Sequence, residues 1–372
     1  MPNMISTGRA EIEWRSESTQ KPPRAAVYLS HANAEQVLKA AHAHTATVWT
    51  GDFHNAKQVL AAMKKRVRKP GSRNQHADIQ TAFHSHRMRQ AQQSRVLNML
   101  AVEIGCGFSL ELPRAPDVAG ALADVYGAAN DEPFLLPLNR LLGFIGAHEW
   151  HKKGIVLPCL EAAIHVPFGV FSPLRGEYLD LIAQAPLPAD IQTAFDIGTG
   201  SGVIAALLAK CGVARIVATD NNPKALASAR ANLERLGYGA QVEVCAADLF
   251  PEGQADLIVC NPPWLPAKPT SAVETALYDP DNAMLKGFLS GAAQHLTPGG
   301  EVWLIMSDLA EHLHLRAPGF LAQCFAEAGL ESVGQLDTRP KHAKAFAPDD
   351  PLAFARSRET TSLYRLKAAL QP

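Results

Sequence analysis

The stretch Asp196-Ile-Gly198-Thr199-Gly200-Ser-Gly202 lies between an apolar run at 193–197 and a second apolar run at 203–210. The first run is short and typical of a buried strand, and the second has helical periodicity. Glycines at alternate positions let the backbone approach a ligand closely, and the start of the helix adds a local positive potential. Several nucleotide-binding folds share this pattern, so the stretch predicts a ligand-binding edge without naming the chemistry.

Strands and helices alternate from this stretch to the C-terminus. Strands are predicted at 193–197, 215–219, 241–246, 255–260, 301–306, 331–337 and 361–367, and helices at 203–210, 223–236, 282–296 and 319–328. This alternation indicates an α/β fold with a doubly wound, mostly parallel sheet and helices on both faces. Ligands of such sheets bind beyond the carboxyl ends of the strands, near the point where the strand order reverses.

Acidic residues follow the next two strands. Asp220 ends the second strand, where a carboxylate can accept hydrogen bonds from ribose hydroxyls. Asp248 follows the third strand beside Leu249 and Phe250, where it can accept from the amino group of a base while an apolar neighbour covers the ring. Each acid alone is equally typical of a cap or turn, but their position after successive strands favours a nucleoside site.

The fourth strand ends in Asp256-Leu-Ile-Val-Cys-Asn261-Pro262-Pro263-Trp264-Leu-Pro266. The two prolines stop the strand because they cannot donate to a sheet ladder. The amide oxygen of Asn261 and the carbonyl of Pro262 are then acceptors for a planar group that carries an NH2, with the indole of Trp264 as a flat wall. A rigid turn that packs an aromatic residue into the core is the structural alternative.

These motifs, over about residues 166–310, resemble class I S-adenosylmethionine-dependent methyltransferases of the branch with an (Asn/Asp)-Pro-Pro-aromatic motif. Within that branch, the segment 171–178 and Trp264-Leu-Pro266 are similar to HemK-like glutamine methyltransferases that modify release factors. Gly169-Val-Phe-Ser172 also resembles ribosomal RNA guanine methyltransferases of the "methyltransferase small domain" type. This chain has Trp264 where the glutamine methyltransferases usually have Tyr, and residues 174–177 in place of Pro-Arg-Pro-Glu.

The resemblance implies a seven-stranded methyltransferase sheet with a C-terminal antiparallel strand, and S-adenosyl-L-methionine as the cofactor. It implies catalytic roles for Asn261, Pro262, Pro263 and Trp264. The implied cofactor-binding residues are Asp196, Gly198, Thr199, Gly200, Gly202, Asp220, Asn221, Asp248, Leu249 and Asn261. Arg175, Glu177 and Tyr178 are the residues expected to close over the cofactor, or else to begin an ordinary helix.

The expected reaction is N-methylation of a planar amide or amino nitrogen. The favoured acceptor is a glutamine side chain of a translation protein, either a release factor or a ribosomal protein. An exocyclic amine of guanine or adenine in rRNA or tRNA is the alternative. A non-catalytic cofactor-binding scaffold and a nicotinamide-dependent dehydrogenase are further alternatives; the intact acids and Asn261 argue against the scaffold, and the dehydrogenase leaves the motif at 261–264 unexplained.

The chain before the methyltransferase part is expected to have a flexible tail at 1–24 and a smaller α+β domain for substrate recognition at 25–165, ahead of the domain at 166–372. A strand is predicted at 45–49, a hairpin at 102–112, and helices at 56–67, 89–100, 116–126 and 141–150. Its region Lys57–Arg95 is rich in cations and is a candidate contact for RNA or the ribosome. The cations are Lys57, Lys64, Lys65, Arg66, Arg68, Lys69, Arg73, Arg87, Arg89 and Arg95. A solvated helix end followed by a loop explains them equally well.

Composition excludes several other classes of protein. The 372 residues carry a net charge of −1 and are 47% hydrophobic, which excludes a uniformly basic nucleic-acid binder. No apolar run approaches the ~20 residues that span a bilayer. Six scattered cysteines without a CxxC pair indicate a reducing compartment, and we expect a cytoplasmic protein. His148 and His151 have helical spacing, but no third ligand stands at zinc spacing, so no metal site is expected.

Overall fold

A computed structural model describes residues 3–8, 10–68, 78–174, 176–340 and 352–369. The chain divides into two compact units, Met1–His151 and Lys152–Pro372. This boundary lies before the one expected at 165/166, because Leu157, Leu160 and Ile164 pack into the core of the second unit.

The first unit combines a sheet with five helices. Its strands are β1 (Met4–Ser6), β2 (Glu11–Trp14), β3 (Ala25–Leu29), β4 (Thr45–Trp49), β5 (Leu100–Ile104) and β6 (Phe134–Pro137). Its helices are α1 (Ala34–His42), α2 (Phe53–Val67), α3 (Ile79–Leu97), α4 (Ala119–Tyr126) and α5 (Leu138–Lys153). The strands form a closed barrel in the order β1-β2-β6-β5-β4-β3. This unit is the smaller α+β part that the sequence predicts.

Two expectations for this unit are wrong. Residues 4–6 and 11–14 are not part of a flexible tail, because β1 pairs with both β2 and β3, and β2 pairs with β6. Residues 102–112 are not a hairpin, because β5 pairs with β4 on one side and with the distant β6 on the other. The β1–β2 pair is local, but β2 also pairs with β6 and β5 pairs with β4 and β6, which lie far away in sequence, where local periodicity gives no signal.

The second unit carries the sheet expected from the glycine-rich stretch. Its strands are β7 (Ile155–Leu157), β8 (Ala162–Ile164), β9 (Thr193–Ile197), β10 (Arg215–Asp220), β11 (Val242–Ala246), β12 (Ala255–Cys260), β13 (Leu296–Ser307), β14 (Leu330–Thr338) and β15 (Thr361–Ala368). Its helices are α6 (Glu177–Gln184), α7 (Val203–Lys210), α8 (Pro223–Arg235), α9 (Ala283–Ala292), α10 (Leu309–His312), α11 (Phe320–Glu327) and α12 (Ala353–Arg356). Strands β7 and β8 form a separate two-stranded sheet.

The large sheet has seven strands in the order β11-β10-β9-β12-β13-β15-β14. All neighbours are parallel except β15, which runs antiparallel to both β13 and β14. The predicted doubly wound, mostly parallel sheet with a C-terminal antiparallel strand is therefore confirmed. The strand order reverses between β9 and β12, so the ligand edge lies at the carboxyl ends of these two strands.

Helices cover both faces of this sheet. Leu257 and Val259 of β12 pack into a core with α6, α7 and α8, whereas Ile258 and Cys260 pack into a second core with α9 and α11. Successive side chains of a strand point to opposite faces, so a continuous apolar run is what a strand buried on both faces requires. Among the described residues, no helix is long and apolar enough to cross a membrane.

The pairing of β13 with β15 includes an almost fully buried carboxylate. Glu301 is 3% exposed and receives two hydrogen bonds from the Arg365 guanidinium, at 2.9 and 2.8 Å. The Trp303 indole also donates to it, at 3.1 Å. Burial opposes ionisation of Glu301, but the hydrogen bonds from Arg365 and Trp303 outweigh it and hold the pKa of this carboxyl below its usual value.

We expect Glu301→Gln to lower the free energy of unfolding by about 3 kcal/mol, because it leaves a partly buried guanidinium without its carboxylate. The pKa of Glu301 is depressed on folding, so its contribution is present above the ordinary value of 4.5 and is lost as pH falls below it. Urea unfolding at pH 7 and pH 3 measures both effects, and the difference between wild type and variant should shrink at pH 3. Lys367→Ala is the control: its ammonium lies 3.7 Å from Glu301 and its side chain is 41% exposed, so the variant should change stability by less than ~1 kcal/mol. An equal loss in the two variants would contradict this account.

Candidate functional site

The glycine-rich loop follows β9 and leads into α7. Gly198, Gly200 and Gly202 all have positive φ, at 73°, 57° and 81°, a region that other residues enter only with strain. A Cβ on Gly202 would lie 3.1 Å from Ala229 Cα, so this glycine lets α7 pack closely against α8. A Cβ on Gly200 would meet nothing within 4 Å, so this part of the loop borders open space.

Asp196 holds this loop from within the core. One carboxylate oxygen, Oδ2, accepts from the Thr199 hydroxyl at 2.7 Å and from the Ala205 N–H at 3.1 Å. Among the described atoms, the other oxygen, Oδ1, is buried without a hydrogen-bond partner. Burial raises the pKa of Asp196 to about 7, against the opposing effect of these hydrogen bonds. A buried oxygen without a donor costs about 1–3 kcal/mol, so this position suits a ligand that brings one.

Asp220 ends β10 and links the loop to the next helix. Its Oδ2 accepts from the Gly200 N–H at 3.0 Å, and its Oδ1 accepts from the Asn222 N–H at 2.8 Å. Asn222, the residue after the predicted Asn221, caps α8 by accepting from the Lys224 N–H, whereas Asn221 is exposed. A carboxylate has about four acceptor positions, so Asp220 can still receive ligand hydroxyls.

Asp248 and Leu249 follow β11. Asp248 is exposed, and Leu249 has a φ of +73°, a strained conformation for a leucine. The Thr219 hydroxyl donates to the Leu249 carbonyl at 2.6 Å and stabilises this turn. Phe250 stacks on the buried Phe288 and on the partly exposed His295, so Leu249, rather than Phe250, is the apolar residue left beside Asp248.

Asn261 follows β12 at the same edge. Ile197 and Cys260 are register partners, so the glycine loop and Asn261 leave adjacent strands side by side. The Trp264 indole N–H donates to Asn261 Oδ1 at 2.9 Å, and the Tyr178 hydroxyl is a second hydrogen-bond partner of this side chain. An indole can only donate, so the amide oxygen of Asn261 faces Trp264. Burial keeps the pKa of Tyr178 far above its usual value, and its hydroxyl stays protonated.

Arg316 contacts the backbone of the motif at Trp264, and it is not among the site residues predicted from the sequence. It is 5% exposed and donates to the Trp264 carbonyl at 3.2 Å and to Asn282 Oδ1 at 2.7 Å. Glu311 forms an ion pair with it at 3.6 Å. The sequence carries no clear signal for it, because the segment before Pro318 also contains Asp308, Glu311, His312 and His314.

The residues expected to close over the cofactor lie at the start of α6. Tyr178 is buried and Glu177 is partly exposed, while Arg175 lies outside the described residues. Pro262 is buried and Pro263 partly buried. A small concave pocket adjoins the motif, lined by Glu177, Tyr178, Trp264, Pro340 and Thr361. The structure thus brings Glu177 and Tyr178 to the aromatic residue of the motif.

The basic region of the first unit lies on two adjoining helices, α2 and α3. The Gln93 side chain donates to the Val67 carbonyl at 3.3 Å and connects them. The exposed cations on these helices and their ends are Lys57, Lys65, Arg66, Arg68, Arg89 and Arg95. Lys69, Arg73 and His76 lie outside the described residues. The cations therefore form a solvated helical surface, which both interpretations of the sequence allow.

Curated relatives match parts of the chain. A release factor glutamine methyltransferase of Cereibacter sphaeroides is 37% identical over 182 residues, 45% of this chain and 64% of that protein. A ribosomal protein L11 methyltransferase of Pelotomaculum thermopropionicum is 45% identical over 71 residues, 18% of this chain and 23% of that protein. The chain thus spans less than two thirds of the length of these relatives.

Among solved structures, the ribosomal protein L11 methylase of Lactobacillus delbrueckii subsp. bulgaricus aligns at 18% identity with a TM-score of 0.39, over 56% of this chain and 87% of that chain. The family model described as "Methyltransferase small domain" matches residues 166–330. This segment contains the glycine loop, Asp220, Asp248 and the motif at 261–264. Residues 166–330, less than half of the chain, are therefore similar to the methyltransferase small domain family.

Proposed function

We propose that this protein is an S-adenosylmethionine-dependent N-methyltransferase that acts on a glutamine side chain of a translation protein. The observation that carries the proposal is the fixed amide oxygen of Asn261, which leaves β12 beside the glycine loop at the reversal point of the sheet. An oriented acceptor oxygen next to a nucleoside site is the arrangement that methylation of a planar nitrogen requires.

The residues at the sheet edge fit S-adenosylmethionine. Gly200 borders open space, Asp196 keeps one buried oxygen without a donor among the described atoms, and Asp248 is exposed. Asp220 and Asn221 would hold the ribose, Asp248 and Leu249 the adenine, and the loop from Gly198 to Gly202 the amino-acid part. When bound, the cofactor supplies an electrophilic methyl group on a sulfonium.

Asn261 would orient the methyl acceptor. An amide nitrogen is a poor nucleophile, because its lone pair is delocalised into the carbonyl. Hydrogen bonds from its two N–H groups to Asn261 Oδ1 and to the Pro262 carbonyl would hold the lone pair toward the methyl group. The same two oxygens stabilise the positive charge that develops on the nitrogen during attack. One lone pair of Oδ1 is used by Trp264, and the other remains for the substrate.

The acceptor class is inferred from the relatives. Two of them are named as a release factor glutamine methyltransferase and a ribosomal protein L11 methyltransferase. A protein glutamine presents the planar NH2 group that the Asn261 site suits. We assign the first unit to substrate recognition, and we place the reaction in the cytoplasm with the translation machinery.

An exocyclic amine of guanine or adenine in rRNA or tRNA is the second candidate acceptor. The observation in its favour is the exposed basic surface of α2 and α3, since clustered cations attract phosphates. The same planar NH2 chemistry would apply at Asn261, with Trp264 stacked on the base. The two candidates therefore differ in how the first unit recognises its partner, and not in the chemistry of methyl transfer.

The glycine pair at 200 and 202 tests the cofactor site. Gly200→Ala should lower stability by only about 1 kcal/mol, the cost of a left-handed alanine, because its methyl group enters open space. We expect S-adenosylmethionine to bind at least tenfold more weakly, since the methyl occupies the approach to the loop. Gly202→Ala should instead destabilise the fold by about 3 kcal/mol, because strain adds to the contact with Ala229. Calorimetric titration and urea unfolding of both variants measure this, and wild-type affinity in Gly200→Ala would contradict the assignment.

The motif itself is tested by Asn261→Ala and Trp264→Phe. Asn261→Ala should cut kcat about a hundredfold or more with nearly unchanged cofactor affinity, as for loss of one preorganised polar group. Trp264→Phe keeps an aromatic ring at this position but removes the indole N–H and its 2.9 Å hydrogen bond to Asn261 Oδ1. We therefore expect kcat to fall by up to about tenfold. Equal losses of cofactor binding and turnover in Asn261→Ala would show that Asn261 supports the fold rather than the acceptor.

The acceptor is identified by transfer of radiolabelled methyl from S-adenosylmethionine into an extract of cells that lack this protein. Label removed by protease alone, and located to a glutamine by mass spectrometry, is the expected result. Label removed by ribonuclease would replace the glutamine proposal with the RNA candidate. Cofactor binding without any transfer would favour the scaffold alternative, and reduction of a nicotinamide cofactor would favour a dehydrogenase. Asn261→Ala is the matched control for background labelling.

A further inference from the structure

A cluster of three metal-ligating side chains lies in the first unit, outside the proposed methyltransferase site. His148 and His151 stand one turn apart on α5, and Asp124 faces them from α4. The Nδ1 atoms of the two histidines lie 2.8 and 3.0 Å from the same oxygen, Asp124 Oδ2. Nothing in the proposed methyl transfer uses these groups.

The packing of the two helices presets this arrangement. Gly120 stands one turn before Asp124 on α4, and a Cβ there would lie 3.0 Å from His148 Nε2. The missing side chain at position 120 thus lets the His148 ring lie against α4. The rings of Tyr126 and Phe144 pack edge to face at 6.2 Å and fix the same helix pair. The three ligands are therefore held in place by elements that do not depend on them.

The charges of the cluster favour a cation. Asp124 contributes a carboxylate that faces the rings of both histidines. Each Nδ1 carries the proton that it shares with Asp124, because a carboxylate can only accept. Neutral imidazole can move that proton to Nε2, which frees Nδ1 as a ligand atom without a change in the charge of the ring.

The donor set is that of a divalent transition metal. Two imidazoles and a carboxylate bind zinc at about 2.0–2.2 Å, which places tetrahedral ligand atoms roughly 3.4 Å apart. The present separations of 2.8 and 3.0 Å need to widen by only about half an ångström, within the range of small side-chain rotations. The side chains are 20–31% exposed, so water can reach a fourth coordination position.

We propose that Asp124, His148 and His151 form a binding site for a divalent transition-metal ion of the zinc type, which connects α4 to α5. The two shared protons move to the Nε2 atoms of the rings, and the ion takes their place, coordinated by Asp124 Oδ2 and the two Nδ1 atoms. In the sequence, the histidine pair has no third ligand at zinc spacing, so no metal site was expected. That ligand lies 24 residues before His148, a spacing at which only the fold could reveal it.

Cobalt(II) and zinc(II) titrations of the full-length protein, previously cleared of metal with a chelator, test the site. We expect one equivalent of Co²⁺ to give visible d–d absorption, without the near-ultraviolet charge-transfer band of thiolate ligands. Zn²⁺ should displace it stoichiometrically. The charge-transfer band is an internal control: because all six cysteines are free thiols, its presence would show that Co²⁺ binds to cysteine instead.

Three variants separate the site from ordinary surface binding. His148→Ala removes a ligand and should weaken Co²⁺ binding by about tenfold to a hundredfold or more. Loss of a group that only hydrogen-bonds to a metal ligand already weakens metal binding by that much. Asp124→Asn retains an acceptor for the histidines but loses the charge, so the variant should fold and still bind Co²⁺ poorly. Gly120→Ala should weaken binding without removal of a ligand, because its methyl group displaces the His148 ring.

His42→Ala is the matched control, since His42 is an exposed histidine in the last turn of α1. It should bind Co²⁺ as the wild type does, and circular dichroism checks the fold of every variant. The absence of a one-to-one complex in the wild type would overturn the proposal, as would equal affinities of the wild type and the folded Asp124→Asn variant. Either result would leave the cluster as a carboxylate shared by two histidines.

Discussion

The parallel pairing of β9 with β12 is the constraint on which the candidate site depends. Ile197 and Cys260 are register partners, so the next residue of each strand, Gly198 and Asn261, leaves the sheet at the same edge. On the other side of β9, Thr219 is the partner of Ile197, which brings Asp220 to that edge as well. A shift of register by one residue would exchange the two faces of a strand and dismantle both cores. The burial that stabilises the sheet therefore also fixes the geometry of the site.

Trp264 gives the motif a different character from one that ends in tyrosine. An indole N–H can only donate, and here it donates to Asn261 Oδ1. Arg316 in turn donates to the Trp264 carbonyl, so the backbone of the motif is anchored by a buried guanidinium. The amide orientation of Asn261 is thus set by the protein before any substrate arrives. Such preorganisation lowers the cost of reaching the reactive geometry, because the donors and acceptors need not rearrange during the reaction.

The sequence predicted the second unit far better than the first, and for a physical reason. β9, α7 and β12 begin and end where predicted, because strands buried on both faces are continuous apolar runs and glycine or proline ends them. The strands of the barrel are short, and β2 pairs with β6 and β5 with β4, strands that are remote in sequence. The sequences of these strands show little hydrophobic periodicity, and pairing with distant strands determines their structure. Likewise, the acids of the site could be predicted because they follow the ends of strands. The contacts of Arg316 and Thr219, and the proximity of Asp124 to two histidines, depend on tertiary structure and could not be predicted in this way.

The acids of the sheet edge differ in how far the fold depends on them, which bears on how a cofactor would be held. Asp220 already accepts from the Gly200 and Asn222 N–H groups, and Asp196 already accepts from Thr199 and Ala205. Removal of the Asp196 or Asp220 carboxylate would free the glycine loop. A loss of cofactor binding in such a variant would therefore reflect the altered loop as well as the lost contact with the cofactor. Asp248 is exposed, and its neighbour Leu249 is held by Thr219. The contribution of a single carboxylate to the cofactor is therefore most cleanly isolated at Asp248, where the fold requires the least of the side chain.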